Sequence, residues 1–222
     1  MTMIARNLSA VLNTLPEGVQ LVAVSKFHPI EALQQAYDAG QRLFGESRVQ
    51  ELTEKRRHLP ADIRWHFIGH LQTNKVRQLI GKVDMIESVD SDRLLRLIDK
   101  ESAAAGVVTA VLLQVHVAAE ETKFGFLPDE LSEWFRSGGY TTLKATHICG
   151  LMAMASNTGD DERVRADFHA VAELMARIKA ENPDLRGFDI LSMGMSHDYP
   201  IAIAEGATHV RVGSAIFGER KY

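Results

Sequence analysis

The chain has 222 residues, 45% hydrophobic and 24% charged, an ordinary globular composition with length enough for one sizeable core. Its 25 lysines and arginines against 29 acids leave a formal charge of -4, which argues against a protein that lives on bulk nucleic-acid phosphate, and the apolar content argues against general disorder. The single cysteine, Cys149, cannot close an internal disulfide and fits a reducing compartment. No apolar run of about 18 residues predicts a membrane span. The first residues, MTMIARNLSAVLNTL, lack the apolar centre of a signal peptide. The reading is one cytoplasmic domain over residues 1–222.

A helix over 2–15 precedes the first β-branched apolar run, at 20–24. From there short apolar runs alternate with stretches of helical spacing. A helix over 29–39, opened by Pro29 and stopped at Gly40, leads to a strand at 42–45. Helix 48–58 and strand 64–68 follow, then helix 73–80, stopped at Gly81, and strand 84–89. Helix 91–105 starts at a capping serine, Ser91, and precedes the longest apolar run, 107–117. Helix 128–137 opens at Pro128 and precedes strand 144–151; the long amphipathic helix 160–180 precedes strand 188–192. Helix 198–205, stopped at Gly206, and strand 208–212 complete the series.

Eight strands alternating with helices require parallel pairing through right-handed crossovers, and near-continuous apolar strands require burial on both faces. The expected architecture is α/β, a single (β/α)8 TIM-type barrel with an extra N-terminal helix. The rival is an open doubly wound sheet. Its nucleotide-binding form wants a glycine-rich first turn, and Ser25-Lys26-Phe27-His28-Pro29 has no glycine.

Reacting groups in such a barrel sit at the carboxyl ends of the strands. Lys26 stands there after Leu21-Val22-Ala23-Val24, either as an amine made nucleophilic by an apolar setting or as a strand-end lysine reaching out to water. Ser192-Met193-Gly194-Met195-Ser196 and Gly213-Ser214 follow the last two strands. Their small residues suit an anion held by backbone N–H groups, the place where this architecture often binds phosphate. They suit turns and caps equally, Ser196 above all as an N-cap. Arg211, inside the last strand, is costly unless paired. Its partner is either a bound ligand or a structural acid such as Glu46. His66 reads as a satisfied core histidine, the pairs Met152/Met154 and Met193/Met195 as core filler or one side of an apolar ligand site, and His116 and Lys123 as loop residues after the fifth strand. Histidine and cysteine spacings offer no metal motif. A nucleophilic lysine, an anion cradle and a strand-borne arginine together match the aldehyde, phosphate and pyridine nitrogen of pyridoxal 5'-phosphate.

Val22-Ala23-Val24-Ser25-Lys26, Phe44-Gly45-Glu46, Trp65-His66-Phe67-Ile68-Gly69, Leu71-Gln72-Thr73-Asn74-Lys75, Gly150-Leu151-Met152, Leu191-Ser192-Met193-Gly194-Met195-Ser196 and Val210-Arg211-Val212-Gly213-Ser214-Ala215-Ile216-Phe217-Gly218 resemble the pyridoxal phosphate homeostasis protein family. The resemblance runs from about Leu21 to Arg220. It implies a barrel like the N-terminal domain of alanine racemase. It further implies an aldimine between Lys26 and the cofactor, phosphate contacts from Ser192, Gly194, Gly213 and Ser214, and Arg211 at the pyridine nitrogen. The family usually carries asparagine where this chain has Ser47 and proline where it has His70. The function implied is the binding of pyridoxal 5'-phosphate in intracellular vitamin B6 and amino-acid homeostasis, as a monomer or weak homodimer, with apoenzymes that use the cofactor as partners and no robust catalysis. A racemase on the same fold needs a second acid/base from a further domain, for which the chain after Phe217 leaves no room, and a cofactor-free Schiff-base aldolase needs an acid/base beside Lys26.

Overall fold

The computed structural model describes residues 1–119 and 124–219. Helix α1 (Met3–Leu12), capped by the Thr2 hydroxyl on the Ala5 amide, leads into β1 (Gln20–Val24). There follow α2 (Ile30–Asp38), β2 (Leu43–Glu46), α3 (Val49–His58), β3 (Arg64–Phe67), a 3-10 turn (Thr73–Lys75) running into the short α4 (Val76–Leu79), and β4 (Met85–Val89). The second half comprises α5 (Asp92–Ala105), β5 (Thr109–Val115), α6 (Pro128–Arg136), β6 (Thr146–Ala153), α7 (Asp161–Glu181), β7 (Ile190–Ser192), α8 (Tyr199–Ala204), β8 (His209–Val212) and α9 (Ser214–Phe217).

The strands pair in parallel in chain order and β8 returns to β1, closing an eight-stranded barrel. The expected architecture is the observed one, and the expected strands lie within a few residues of the observed ones. The 3-10 turn at Gly139–Thr142 has no counterpart among the expected elements and is too short to show helical periodicity. Among the described residues, no helix is long and apolar enough to cross a membrane.

Alternation along each strand divides the side chains into two populations. Ala23, Phe44, Trp65, Phe67, Leu191, Val210 and Val212 face the helices and join the main core, where Phe168 and Val171 of α7 and Leu94 and Ile98 of α5 meet them. A smaller inner cluster, Met85, Leu112, Cys149 and Met152, fills the barrel from within. Arg211, Glu87, His66 and Ser192 are buried as well, so the inside of the barrel is part hydrocarbon and part charge. The pairing slips at two places, between Ile86 and Val89 of β4 and between Val111 and Leu112 of β5. At the second, Gly150 of β6 takes φ +152, and a Cβ there would lie 1.8 Å from the Ile190 carbonyl oxygen. Glycine alone permits that approach of β6 to β7.

Candidate functional site

Lys26 lies two residues beyond the end of β1, in the turn before α2. With Val24 it lines a cavity of about 240 Å³ at the carboxyl end of the barrel. Ile68, Met152, Met154 and Met195 supply the apolar part of the lining; Ser196, His197, Arg211, Gly213 and Ser214 complete it. Four of the six residues named from the sequence, Lys26, Arg211, Gly213 and Ser214, therefore meet in one space.

Ser192 and Gly194 do not line it. Ser192 is wholly buried below, where its hydroxyl donates to Glu87 Oε2 (2.6 Å) and accepts from Arg211 Nη1 (2.7 Å). Gly194 sits under the loop at φ +87. A Cβ there would come within 2.7 Å of the Ala202 Cβ and 2.8 Å of the Tyr199 Cα, so this glycine seats the loop on α8. Ser192 holds Arg211 and Gly194 seats the loop that carries Met195, and both of those neighbours line the cavity.

Arg211 is braced three ways. Besides Ser192, its Nη2 donates to the Ala153 carbonyl (2.8 Å), and its Nη1 stands 3.9 Å from Glu87 Oε2. The structural acid is therefore Glu87 of β4, and the sequence expectation of Glu46 is corrected. Glu46 follows Phe44 on the helix-facing side and bonds to Lys55 of α3 instead (2.7 Å). Glu87 also accepts from His66 Nδ1 (2.6 Å), so His66 is the satisfied core histidine expected, though its partner is the acid that balances Arg211. Burial pushes the Glu87 carboxyl up, but the His66 bond and the charges of His66 and Arg211 outweigh it and bring it down to about 2. His209, whose ring lies 6.2 Å from that of His66, is pulled down to about 4, chiefly by burial.

At the rim, Ser196 is not an N-cap. Asp198 occupies that position before α8, and the Ser196 hydroxyl accepts from the Gly213 amide (3.1 Å), tying the β7 and β8 loops together. Asp198 in turn accepts from the Met195 amide. Among the described residues, the N–H groups of Ser196, His197 and Ser214 donate to no carbonyl or side chain. Ser196, which the sequence offers either as part of an anion loop or as a cap, lines the cavity, and so does His197, which the sequence did not single out and whose signal is adjacency to Met195 and Ser196 on a strand-end loop.

The other residues weighed from the sequence lie off the cavity. His70 stacks on Phe124 (3.9 Å between centroids) and pairs with Asp90 (3.0 Å), in a separate hollow with Gln72, Ser91 and Arg93. Ser47 packs its backbone against Gly69, where a Cβ would lie 2.2 Å from the Ser47 carbonyl oxygen. Lys123 lies outside the described residues. A larger hollow, about 850 Å³, is an open groove between the β1–α2 loop and α3 with Glu31, Arg48 and Glu54 on its walls. It contains neither the Lys26 amine nor the Arg211 guanidinium, so the smaller cavity is the better candidate site.

Residues 1–221 match the family described as alanine racemase, N-terminal domain. The pyridoxal phosphate homeostasis protein of Aquifex aeolicus is 43% identical over 206 residues, covering 91% of this chain and 88% of that one. This chain belongs to the pyridoxal phosphate homeostasis protein family. Among solved structures, PipY of Synechococcus elongatus superposes with a TM-score of 0.92 without pyridoxal phosphate (39% identity) and 0.88 with it bound (38% identity); each alignment covers 97% of this chain and 100% of that one. Alanine racemase of Clostridium difficile shares the fold alone, at TM-score 0.75 and 15% identity, and this chain covers 57% of it.

Proposed function

We propose that this protein binds pyridoxal 5'-phosphate through Lys26 and serves vitamin B6 and amino-acid homeostasis in the cytoplasm, holding the cofactor for apoenzymes rather than turning over a substrate. One observation carries the reading. An amine, a guanidinium and a rim of unengaged amides surround a single cavity whose apolar walls are valine, methionine and isoleucine. That donor set fits the cofactor group by group, and PipY, 38% identical along nearly the whole chain, was solved with pyridoxal phosphate bound.

When bound, pyridoxal phosphate supplies an aldehyde that condenses with an amine with loss of water, and a pyridine ring that can take up electron density. Lys26 is the amine on the lining. Ser196 and Ser214 offer hydroxyls, and with His197 they offer amide N–H groups, to the phosphate. Gly213 keeps the β8 loop low over Val24; a Cβ there would lie 3.0 Å from the Val24 carbonyl oxygen. Arg211 would meet the ring nitrogen with a fixed cation. A guanidinium does not give up its proton at neutral pH, so a nitrogen accepting from it stays unprotonated and the ring is a weaker electron sink. Met152, Met154, Met195 and Ile68 would exclude water from around the ring.

The same lining argues for holding over catalysis. Racemisation needs an acid/base on each face of the substrate. Apart from Lys26 and Arg211, the titratable residue among those described on the lining is His197. Its side chain is 59% exposed and lies 3.4 Å from Asp198.

The test is borohydride reduction of the protein incubated with pyridoxal 5'-phosphate, followed by peptide mass mapping. The adduct is expected on the Lys26 peptide and lost in Lys26→Ala. An adduct that persists in that variant overturns the reading. Incubation with L-alanine is expected to yield no D-alanine above the rate of free cofactor.

A further inference from the structure

Lys26 sits in a turn gripped from behind. On the helix-facing side of the sheet, Lys55 of α3 is almost wholly buried, and its ammonium donates to three oxygens: the Ser25 carbonyl (2.7 Å), Glu46 Oε1 (2.7 Å) and Glu51 Oε1 (2.6 Å). The same Glu51 oxygen accepts from the backbone N–H of Phe27 (2.7 Å), and the Ser25 hydroxyl donates to Glu46 Oε1 (2.6 Å). The residue before Lys26 is thus held by its carbonyl and its hydroxyl, and the residue after it by its amide. Phe27 takes φ +68, a left-handed conformation that a phenylalanine adopts only where its surroundings enforce it. The Arg48 guanidinium, 4.4 Å over the Phe27 ring, adds a brace from the start of α3.

A buried lysine with two carboxylates is a poor way to gain stability, because hydrocarbon of similar volume often does as well or better. What hydrocarbon cannot do is accept from the Phe27 amide and donate to the Ser25 carbonyl. Those two bonds fix the peptide planes on both sides of Lys26, and hence the direction in which its Cα–Cβ bond leaves the turn toward the cavity.

We propose that Glu51 and Lys55 of α3 are positioning residues for Lys26, holding the backbone on either side of it so that its amine is presented to an aldehyde in the cavity. This rests on the reading of Lys26 as the attachment point. Glu51 lies across the sheet from the cavity and does not line it, so its effect is confined to the amine and leaves phosphate and ring contacts untouched.

The experiment compares two probes on the purified full-length protein: pyridoxal 5'-phosphate, and pyridoxine 5'-phosphate, which has an alcohol in place of the aldehyde. Glu51→Ala is expected to weaken pyridoxal phosphate binding roughly tenfold, the equivalent of one charge-assisted hydrogen bond, and to slow borohydride trapping on the Lys26 peptide. Binding of pyridoxine phosphate is expected to stay within about twofold of wild type. Glu51→Gln, which keeps an acceptor for the Phe27 amide, is expected to recover most of the loss. Equal weakening of both probes overturns the proposal, as does weakening of neither. A glutamine variant as weak as the alanine variant also overturns it, since the effect then belongs to charge and not to the backbone grip. A thermal melt without ligand accompanies each variant; if Glu51→Ala is unfolded, Glu51→Leu, which fills the site with hydrocarbon and leaves the Phe27 amide without that acceptor, takes its place against Glu51→Gln with the same outcomes. Trapping on a lysine other than Lys26 in the wild type removes the parent reading and this proposal together; normal Lys26 trapping with no change in Glu51→Ala removes this proposal alone.

Discussion

Glu87→Gln separates the charge of the barrel interior from its shape. The amide matches the carboxyl in size, so no cavity opens, but the anion that balances Arg211 is gone, and one of the two oxygens accepting from His66 and Ser192 becomes a donor. Breaking a buried ion pair by removing one partner costs about 3–5 kcal/mol. Here the charges stand 3.9 Å apart, and Arg211 keeps its bonds to Ser192 and Ala153, which places the loss at the lower end, about 3 kcal/mol. For a chain of this length that corresponds to a fall in Tm of roughly 6–12 °C. The assay is urea and thermal unfolding at pH 7 followed by circular dichroism. The pH dependence gives a second check. The Glu87 carboxyl is held at about 2, below its ordinary 4.5, so its contribution is fully present above the ordinary value and lost as pH falls through about 2. The gap between wild type and variant is therefore expected to stay constant from pH 7 to about 5 and to close only in stronger acid. A loss under about 1 kcal/mol at pH 7 refutes the argument that this interior depends on a balanced charge pair.

Three further outcomes follow from the same geometry. His209 is held at about 4 against an ordinary 6.5, so the unfolded chain takes up a proton first and wild-type stability is expected to fall between pH 6.5 and 4, by at most about 1.4 kcal/mol per unit; urea midpoints of His209→Gln are expected to be flatter over that window, and parallel curves count against it. Glu46 runs the other way: burial lifts its carboxyl to about 7, Oε2 has no partner, and the stability it contributes is present below the ordinary 4.5 and lost as pH rises through about 7, so Glu46→Gln is expected to gain on wild type between pH 5 and 8. Gly150→Ala drives a Cβ into the Ile190 carbonyl at a backbone angle alien to alanine, and a loss of about 3 kcal/mol or more, or insoluble protein, is expected; a wild-type urea midpoint contradicts the β6–β7 packing described above.

The strand order was open to reading because parallel strands buried on both faces leave uninterrupted apolar runs, and turn glycines such as Gly40 and Gly206 mark where helices stop. Lys26, Arg211, Gly213 and Ser214 were open to reading because this architecture fixes which strand ends face the mouth. The partner of Arg211 was not. Whether an acid points into the barrel or toward the helices depends on strand parity, and parity slips at the β4 and β5 irregularities, which leave no clear mark in the sequence. Glu46 and Glu87 look alike as strand-borne acids, yet one faces α3 and the other faces Arg211. Ser192 ends a strand of three residues with its hydroxyl turned into the barrel onto Glu87 and Arg211, a direction that strand parity decides and composition does not mark.

Two polar networks thus bracket the cavity without sharing a member. Inside the barrel, His66, Glu87 and Ser192 fix the Arg211 guanidinium that lines the cavity. Outside it, Glu46, Lys55 and Glu51 fix the turn that carries the amine. A site whose task is to hold one small molecule needs its two anchor points at a constant separation, and a sheet between two independent braces supplies that separation more rigidly than either loop could alone. The bonds each network makes to a neighbouring backbone or side chain place Lys26 and Arg211.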